Sequence, residues 1–324
     1  MRSEAFRLLR IALALAAVAA AVVTPARAWE VEDLAGFSIE KHAASALALF
    51  GITAVPNETA SALVLDTGTR PGGNSDFVAA QLGSGITVSK SFPLYLEGYI
   101  GYNRYVPEFI LTEGSERARF LPKWTTLAAT GGIGWDFALT DYLVFRPVVD
   151  LTLGQIVSDT AFVAQFLANR WGIEDVNFLR DGGLTAGGIG GSLVLAYDRR
   201  WPNDLEADWT LRYSDFYLKP IAGDRDVVGE ANARSLVLWS RLRMPTGQYA
   251  FGSPVRTVSE FSASWLPGDQ GEILQTEWLA QVGFGVELDV SKTSVPLVSS
   301  GRMVFRYTRG EYLEGYGLGL AVSF

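Results

Sequence analysis

The chain has 324 residues, a formal net charge of −8, 34 glycines, one histidine and no cysteine. Without cysteine there are no disulfide frameworks, thiolate metal sites or cysteine nucleophiles. A lone histidine leaves a Ser-His-Asp triad or a histidine-built metal site hard to assemble. Apolar residues make up 48% and charged residues 19%, a balance that excludes a disordered chain.

The first predicted element is a processing segment, residues 1–28. Arg2, Arg7 and Arg10 supply a basic start, Ile11 to Val23 is an unbroken apolar run, and Ala26-Arg27-Ala28 precedes Trp29. Together they form the three-part pattern of a secretory signal peptide cleaved before Trp29. The apolar run is shorter than the roughly 20 residues a membrane-spanning helix needs. Cleavage removes four arginines and Glu4, leaving 23 basic and 34 acidic residues and a net charge of −11. An acidic exported chain is a poor candidate for nucleic-acid binding. No later stretch approaches 18 consecutive apolar residues. That excludes spanning helices but not a barrel, whose strands carry apolar residues at every second position.

Residues 29–59 form an N-terminal segment with one predicted helix near 38–50. Ser38 suits its N-cap and Gly51 the position just past its end. Ile39, Ala43, Leu47 and Phe50 fall on one stripe. The only histidine, His42, lies here, outside the predicted strands, and reads as a polar residue on a short helix.

From residue 60 to 324 the period changes to two. In Trp278–Val290, Trp278, Val282, Phe284, Val286 and Leu288 alternate with Gln281, Gly283, Gly285, Glu287 and Asp289. Side chains alternate between faces in a strand, so one face is greasy and the other small or polar. The same reading gives about twelve strands: Ser61–Asp66, Phe77–Ser89, Leu94–Tyr105, Trp124–Leu139, Tyr142–Gln155, Leu184–Asp198, Leu205–Leu218, Ala233–Met244, Arg256–Leu266, Trp278–Val290, Arg302–Thr308 and Tyr312–Phe324. Most exceed the usual five or six residues of a globular strand and match the roughly 9–11 residues of a membrane strand. Short and long connections broadly alternate, with Pro245–Val255 and Ser291–Gly301 long for the short side.

The polar face places Glu97, Asp136, Arg146, Asp150, Asp208, Arg212, Glu287, Asp289, Arg302 and Arg306 in the barrel interior. Isolated charges in a narrow lumen are costly unless paired or wet, so ion pairs bracing adjacent strands are expected, with a conducting or binding lumen as the other reading. Gly187-Gly188-Ile189-Gly190-Gly191 lacks the Lys-Ser/Thr of a phosphate loop and reads as small positions within a strand. Trp124, Trp135, Trp201, Trp209, Trp239, Trp265 and Trp278 are expected in interfacial belts. No cofactor, metal site or catalytic residue is implied.

The leader, the helix, the twelve amphipathic strands and the alternating end Tyr316, Leu318, Leu320, Val322, Phe324 together resemble an autotransporter-type outer-membrane β-barrel. The terminal pattern is similar to the signal that the barrel-assembly machinery reads. The resemblance implies a helix threaded through a twelve-stranded lumen. It also implies outer-membrane lipid as surroundings, and the secretory translocon and assembly machinery as partners during biogenesis. Only about nine mature residues precede the helix, which points to the solitary, passenger-less members. The implied protein is a non-catalytic barrel of a Gram-negative outer membrane, serving as narrow pore, surface scaffold or vestigial translocator. The alternatives are a secreted soluble all-β binding protein and a barrel enzyme acting on lipid or peptide.

Overall fold

A computed structural model describes residues 39–57, 62–70, 73–106, 109–113, 116–120, 123–158, 183–222, 229–274, 276–289, 300–311 and 314–323. The signal segment and Phe324 lie outside them. Helix α1 spans Ile39–Ala54. It is followed by strands β1 (Ala62–Arg70), β2 (Gly73–Thr87), β3 (Leu94–Val106), β4 (Phe109–Glu113), β5 (Glu116–Phe120), β6 (Trp124–Trp135), β7 (Phe137–Ala138), β8 (Leu143–Ser158), β9 (Gly183–Arg200), β10 (Glu206–Ala222), β11 (Ala231–Ala250) and β12 (Ser253–Trp265). A short helix α2 (Asp269–Leu274) precedes β13 (Trp278–Asp289), β14 (Ser300–Gly310) and β15 (Glu314–Ser323).

Twelve strands form one antiparallel path, β1-β2-β3-β6-β8-β9-β10-β11-β12-β13-β14-β15. The path curls until β1 and β15 lie side by side, which brings the two edges of the sheet together. Strand β7 is a short appendage of β8, and β4 and β5 form a separate hairpin. Each strand of the twelve-stranded path corresponds to one predicted strand, because a sustained period-two pattern is legible without tertiary information, whereas β4 and β5 were not predicted. The sheet has a turn end, with connections such as 88–93, 136–142, 201–205 and 251–252. Its loop end carries β4–β5 and α2.

Three expectations are corrected. The strand expected over Trp124–Leu139 breaks at Asp136, whose N–H is donated to Pro93 O and whose carboxylate turns to Arg146 and Thr87. The long connection expected at Pro245–Val255 is strand up to a two-residue turn at Phe251-Gly252. Helix α1 does not stop before Gly51 but runs on to Ala54, and Val55 N–H still bonds to Gly51 O at 3.0 Å. A Cβ on Gly51 would stand 2.7 Å from the Ala233 Cβ. This glycine permits close approach of the helix to the wall rather than ending it.

The alternation decides which residues see the outside. Leu82, Ile100, Leu127, Leu151, Ile189, Phe284, Phe305 and Leu320 are exposed, while their sequence neighbours turn inward. Helix α1 instead supplies an interior core. Ala46, Leu47, Leu49, Phe50 and Ala54 pack against Phe77, Trp124, Ile156, Leu184, Phe216 and Leu218 of the wall.

Candidate functional site: a lumen filled in two layers

The upper layer, toward the loop end, is α1 and its seat. Leu47 and Phe50 are fully buried, as are Ala46 and Ala54, so from Ala46 onward burial extends beyond the expected single apolar stripe, whose Ile39 and Ala43 side chains lie outside the described part. The carbonyls of α1 past the last helical turns would be orphans in an apolar seat. The wall meets them with Thr130 Oγ1, which donates to Ala54 O at 2.6 Å, and Asn103 Nδ2 adds a bond to the helical carbonyl Leu49 O at 2.8 Å. Gln81 Nε2 donates to Thr53 O and Val55 O at 3.1 and 3.0 Å. Asn103 lies nearer the loop end than Gly101, which meets Thr53, so α1 enters with its N-terminus toward the loops.

Helix α2 closes over this layer. Strand β12 ends at Trp265 opposite Leu236, which leaves the edge of β11 from Ala231 to Ser235 without a strand partner on that side. Buried Gln270 acts as a substitute strand, accepting from Arg234 N–H at 3.1 Å and donating to Arg234 O at 2.8 Å. Asp269 accepts from Asn232 N–H at 2.7 Å. Leu274 then joins the same apolar cluster as Leu47.

Two charge clusters occupy one wall below the helix. Arg212, 1% exposed, donates Nη1 to Glu97 Oε2 at 3.0 Å and Nη2 to Ser192 Oγ at 2.9 Å. Ser192 Oγ donates to Asp150 Oδ2 at 3.1 Å. Arg146 pairs with Asp136 and stacks its guanidinium 3.6 Å from the Tyr95 ring centre. Thr87 Oγ1 adds a 2.6 Å bond to Asp136. Glycine makes the room. A Cβ on Gly132 would stand 2.8 Å from Glu97 Cγ, and one on Gly190 2.5 Å from the Phe216 ring.

From β10 onward the wall carries a ladder that runs across to β14. Asp208 pairs with Arg241 at 2.5 Å and Arg243 at 2.8 Å, and Glu206 with Arg243 at 2.9 Å and Arg256 at 2.8 Å. Arg256 reaches Glu287 at 2.5 Å, and Glu260 holds Arg306 at 2.6 Å and Arg302 at 3.5 Å. The cross-strand register explains the order: Asp208 faces Arg241, Glu206 faces Arg243, Arg256 faces Glu287, and Glu287 faces Arg302. Opposite charges directly across a sheet attract, and burial makes each pair depend on its partner.

Glu97, Asp150 and Arg212 therefore meet in one cluster, Asp136 and Arg146 in a second, and Asp208, Glu287, Arg302 and Arg306 in the ladder. Asp289 is half-buried at the end of β13, opposite Ser300. Glu206, Arg241, Arg243, Arg256 and Glu260 were not singled out from the sequence. Their signal was available: Arg241 and Arg243 continue the phase of Val237 and Trp239, and Glu260 that of Arg256. Trp124 and Trp239 are corrected, since both are buried on the inner face, Trp239 with Arg241 5.0 Å from its ring. Tyr316, Leu318 and Leu320 are exposed on the outer face. Val322 lies on β15 with its side chain outside the described part, and Ala26, Ala28, Trp29, Phe324 and the His42 side chain are also outside it. Among the described residues no group of three His, Asp or Glu could hold a metal ion.

An antiparallel barrel that is apolar outside and polar inside defines the class: a transmembrane β-barrel, here with an occupied lumen. Its fold is similar to solved autotransporter domains. The β-domain of the Bordetella autotransporter BrkA is 13% identical over 82% of this chain and 96% of that one, with a TM-score of 0.45. The translocator domain of the autotransporter NalP from Neisseria meningitidis is 11% identical over 78% and 82%, at 0.37. LpxR from Salmonella typhimurium is 10% identical over 77% and 90%, at 0.38. No family model matches the chain, and no characterised sequence does.

Proposed function

We propose that the mature chain is a non-catalytic outer-membrane β-barrel of a Gram-negative bacterium, exported through a cleaved leader and sealed at rest. In this reading it is a surface scaffold of the autotransporter-barrel kind rather than an open pore. The observation that carries it is the filled lumen, with α1 buried in the loop half and guanidinium–carboxylate pairs in the turn half. A conducting pore needs a continuous wet path, and here apolar side chains and paired charges occupy it. The ion pairs also support a bracing role for the interior charges, since Glu97, Glu206, Asp208, Glu260 and Glu287 each lie against an arginine. Secretion by the general translocon and insertion by the barrel-assembly machinery follow from the leader and the terminal strand.

The test has two parts. The chain should sediment with outer membranes and run faster on a gel before heating than after it. Reconstituted in a planar bilayer, it should show no steady conductance, and deletion of residues 39–57 should open a stepwise ionic current. Steady current through the intact protein would overturn the sealed reading, and recovery in the soluble fraction would overturn the membrane reading.

A further inference from the structure

The outer column of β9 is apolar until its last member. Ile189, Leu193, Leu195 and Tyr197 share one phase, and the next residue in that phase, at the turn end, is Arg199. Two rings from different turns lie against its guanidinium, the Tyr142 centre at 4.8 Å and the Trp201 centre at 5.0 Å. Tyr142 in turn meets Tyr197, and Tyr197 stacks on Trp209. Among the described residues no carboxylate pairs with this guanidinium and no acceptor takes its N–H groups. Asp204, on the same turn as Trp201, is held by Arg200 at 2.8 Å. The other arginines of that end, Arg146, Arg200, Arg241, Arg243, Arg256 and Arg302, each hold a carboxylate. A ring over a guanidinium covers its face and leaves the N–H groups in its plane free. A fixed positive charge with a planar fork of donors and no anion from its own chain is matched to an oxyanion, phosphate above all.

We infer that Arg199, braced by Tyr142 and Trp201, binds one phosphate group at the outer rim of the turn end. The phosphate of a lipid headgroup and free phosphate share that chemistry. Strand register favours the lipid source, which rests on the membrane-barrel reading. A rung that starts at Ile86, beside the 88–93 turn, arrives at Arg234, near the loop end of β11. Rungs therefore descend toward the turn end as strand number falls. Phe284 lies midway along the outward column of β13. Its rung passes Ser259, Leu242 and Ala207 and reaches Arg199. Neighbouring strands lie about 4.8 Å apart and tilt by about 40°, so each step lowers the rung by about 3 Å. The steps from β13 to β9 set Arg199 about 12 Å below Phe284, at the edge of an apolar band about 25 Å tall. Its long stem carries the charge on into the headgroup layer, about 5–7 Å deep. There a phosphate supplies the counterion that the chain does not.

The full-length barrel, stripped of lipid in a neutral detergent, is titrated with three probes while native mass spectrometry counts bound molecules. The probes are phosphatidylglycerol, diacylglycerol as its phosphate-free counterpart, and inorganic phosphate. The wild-type barrel should bind a first phosphatidylglycerol about tenfold more tightly than Arg199→Gln, the loss expected when charge-assisted hydrogen bonds are removed. Arg199→Lys should fall between them, since an ammonium keeps the charge but loses the stacking and the fork. Tyr142→Leu with Trp201→Leu should weaken retention although Arg199 is intact. Diacylglycerol should bind all of them alike. Heat-modifiable migration on a gel checks that each variant is folded, and Arg199→Lys carries the comparison should Arg199→Gln not fold. Displacement of the lipid by inorganic phosphate assigns the site to free phosphate, and retention in its presence assigns it to the headgroup. Phosphatidylglycerol and phosphate bound equally by the wild type and the folded Arg199 variants would overturn the site. Recovery of the native protein in the soluble fraction would remove the membrane reading and the lipid source together. Uptake of inorganic phosphate that depends on Arg199 would then uphold the site, and uptake that does not would overturn it.

Discussion

At the scale of single residues, interior charges are held by specific side-chain partners. Arg212 serves Glu97 directly and Asp150 through Ser192. Taking one partner from a buried pair leaves the other charge uncompensated, at a cost of about 3–5 kcal/mol. Arg212→Met and Glu97→Gln should each destabilise the barrel by that order, measured by urea titration in lipid vesicles. The double variant should lose less than the sum, because the second change removes the charge the first exposed. Equivalent, additive losses would show that the two side chains act independently. The outer face obeys the opposite rule. Phe284 is 69% exposed between inward Gly283 and Gly285. Phe284→Arg should cost about 2–4 kcal/mol near the midplane, against little for Phe284→Leu. An arginine tolerated there as well as leucine would mean that this face does not meet hydrocarbon.

At the scale of elements, α1 and α2 form a plug and its clasp. Gly51 lies where the helix comes nearest to the wall, with the Ala233 Cβ in the path of any added side chain. Gly51→Ala should therefore overpack the seat and cost about 1–3 kcal/mol. Ala233→Gly should recover most of it, read by the same titration and by the conductance of the reconstituted barrel. Failure of that rescue would place the strain elsewhere. The clasp is polar. Gln270→Ala strips partners from Arg234 N–H and C=O, a loss of about 1–3 kcal/mol if they stay buried. Amide exchange should accelerate at Arg234 and along α1 together, since Leu274 and Leu47 share one cluster. Exchange faster at Arg234 alone would show that α2 does not hold the helix.

At the scale of the whole molecule, the barrel solves a solvent problem. Backbone groups cannot go unpaired in hydrocarbon, and the sheet curls until its end strands β1 and β15 adjoin. Twelve strands enclose more than their own side chains can fill near the loop end, where many inward residues are small, such as Ala128, Gly154, Ala186 and Ala233. The helix fills that half. Larger inward residues, Arg243, Arg256, Glu287 and Arg306, fill the other. Removing α1 should thus open the loop half, which is why the deletion of residues 39–57 is expected to give a current.

The amino-acid sequence by itself determined that the chain folds as about twelve strands and which residues share a strand face. These depend on period-two alternation, a local property that a membrane on one side and a polar lumen on the other make unusually sharp. Only the tertiary structure decided what the interior charges do. Glu97 and Arg212 are 115 residues apart, and nothing local ties them to each other. The extent of α1 was likewise illegible, because Gly51 carries the same signal whether it ends a helix or lets one approach a wall. The all-round burial of Ala46 to Phe50 and the substitution of Gln270 for a missing strand also arise from packing between distant segments. Which strand edge lies bare, and which loop reaches it, is set by the closed path of the sheet.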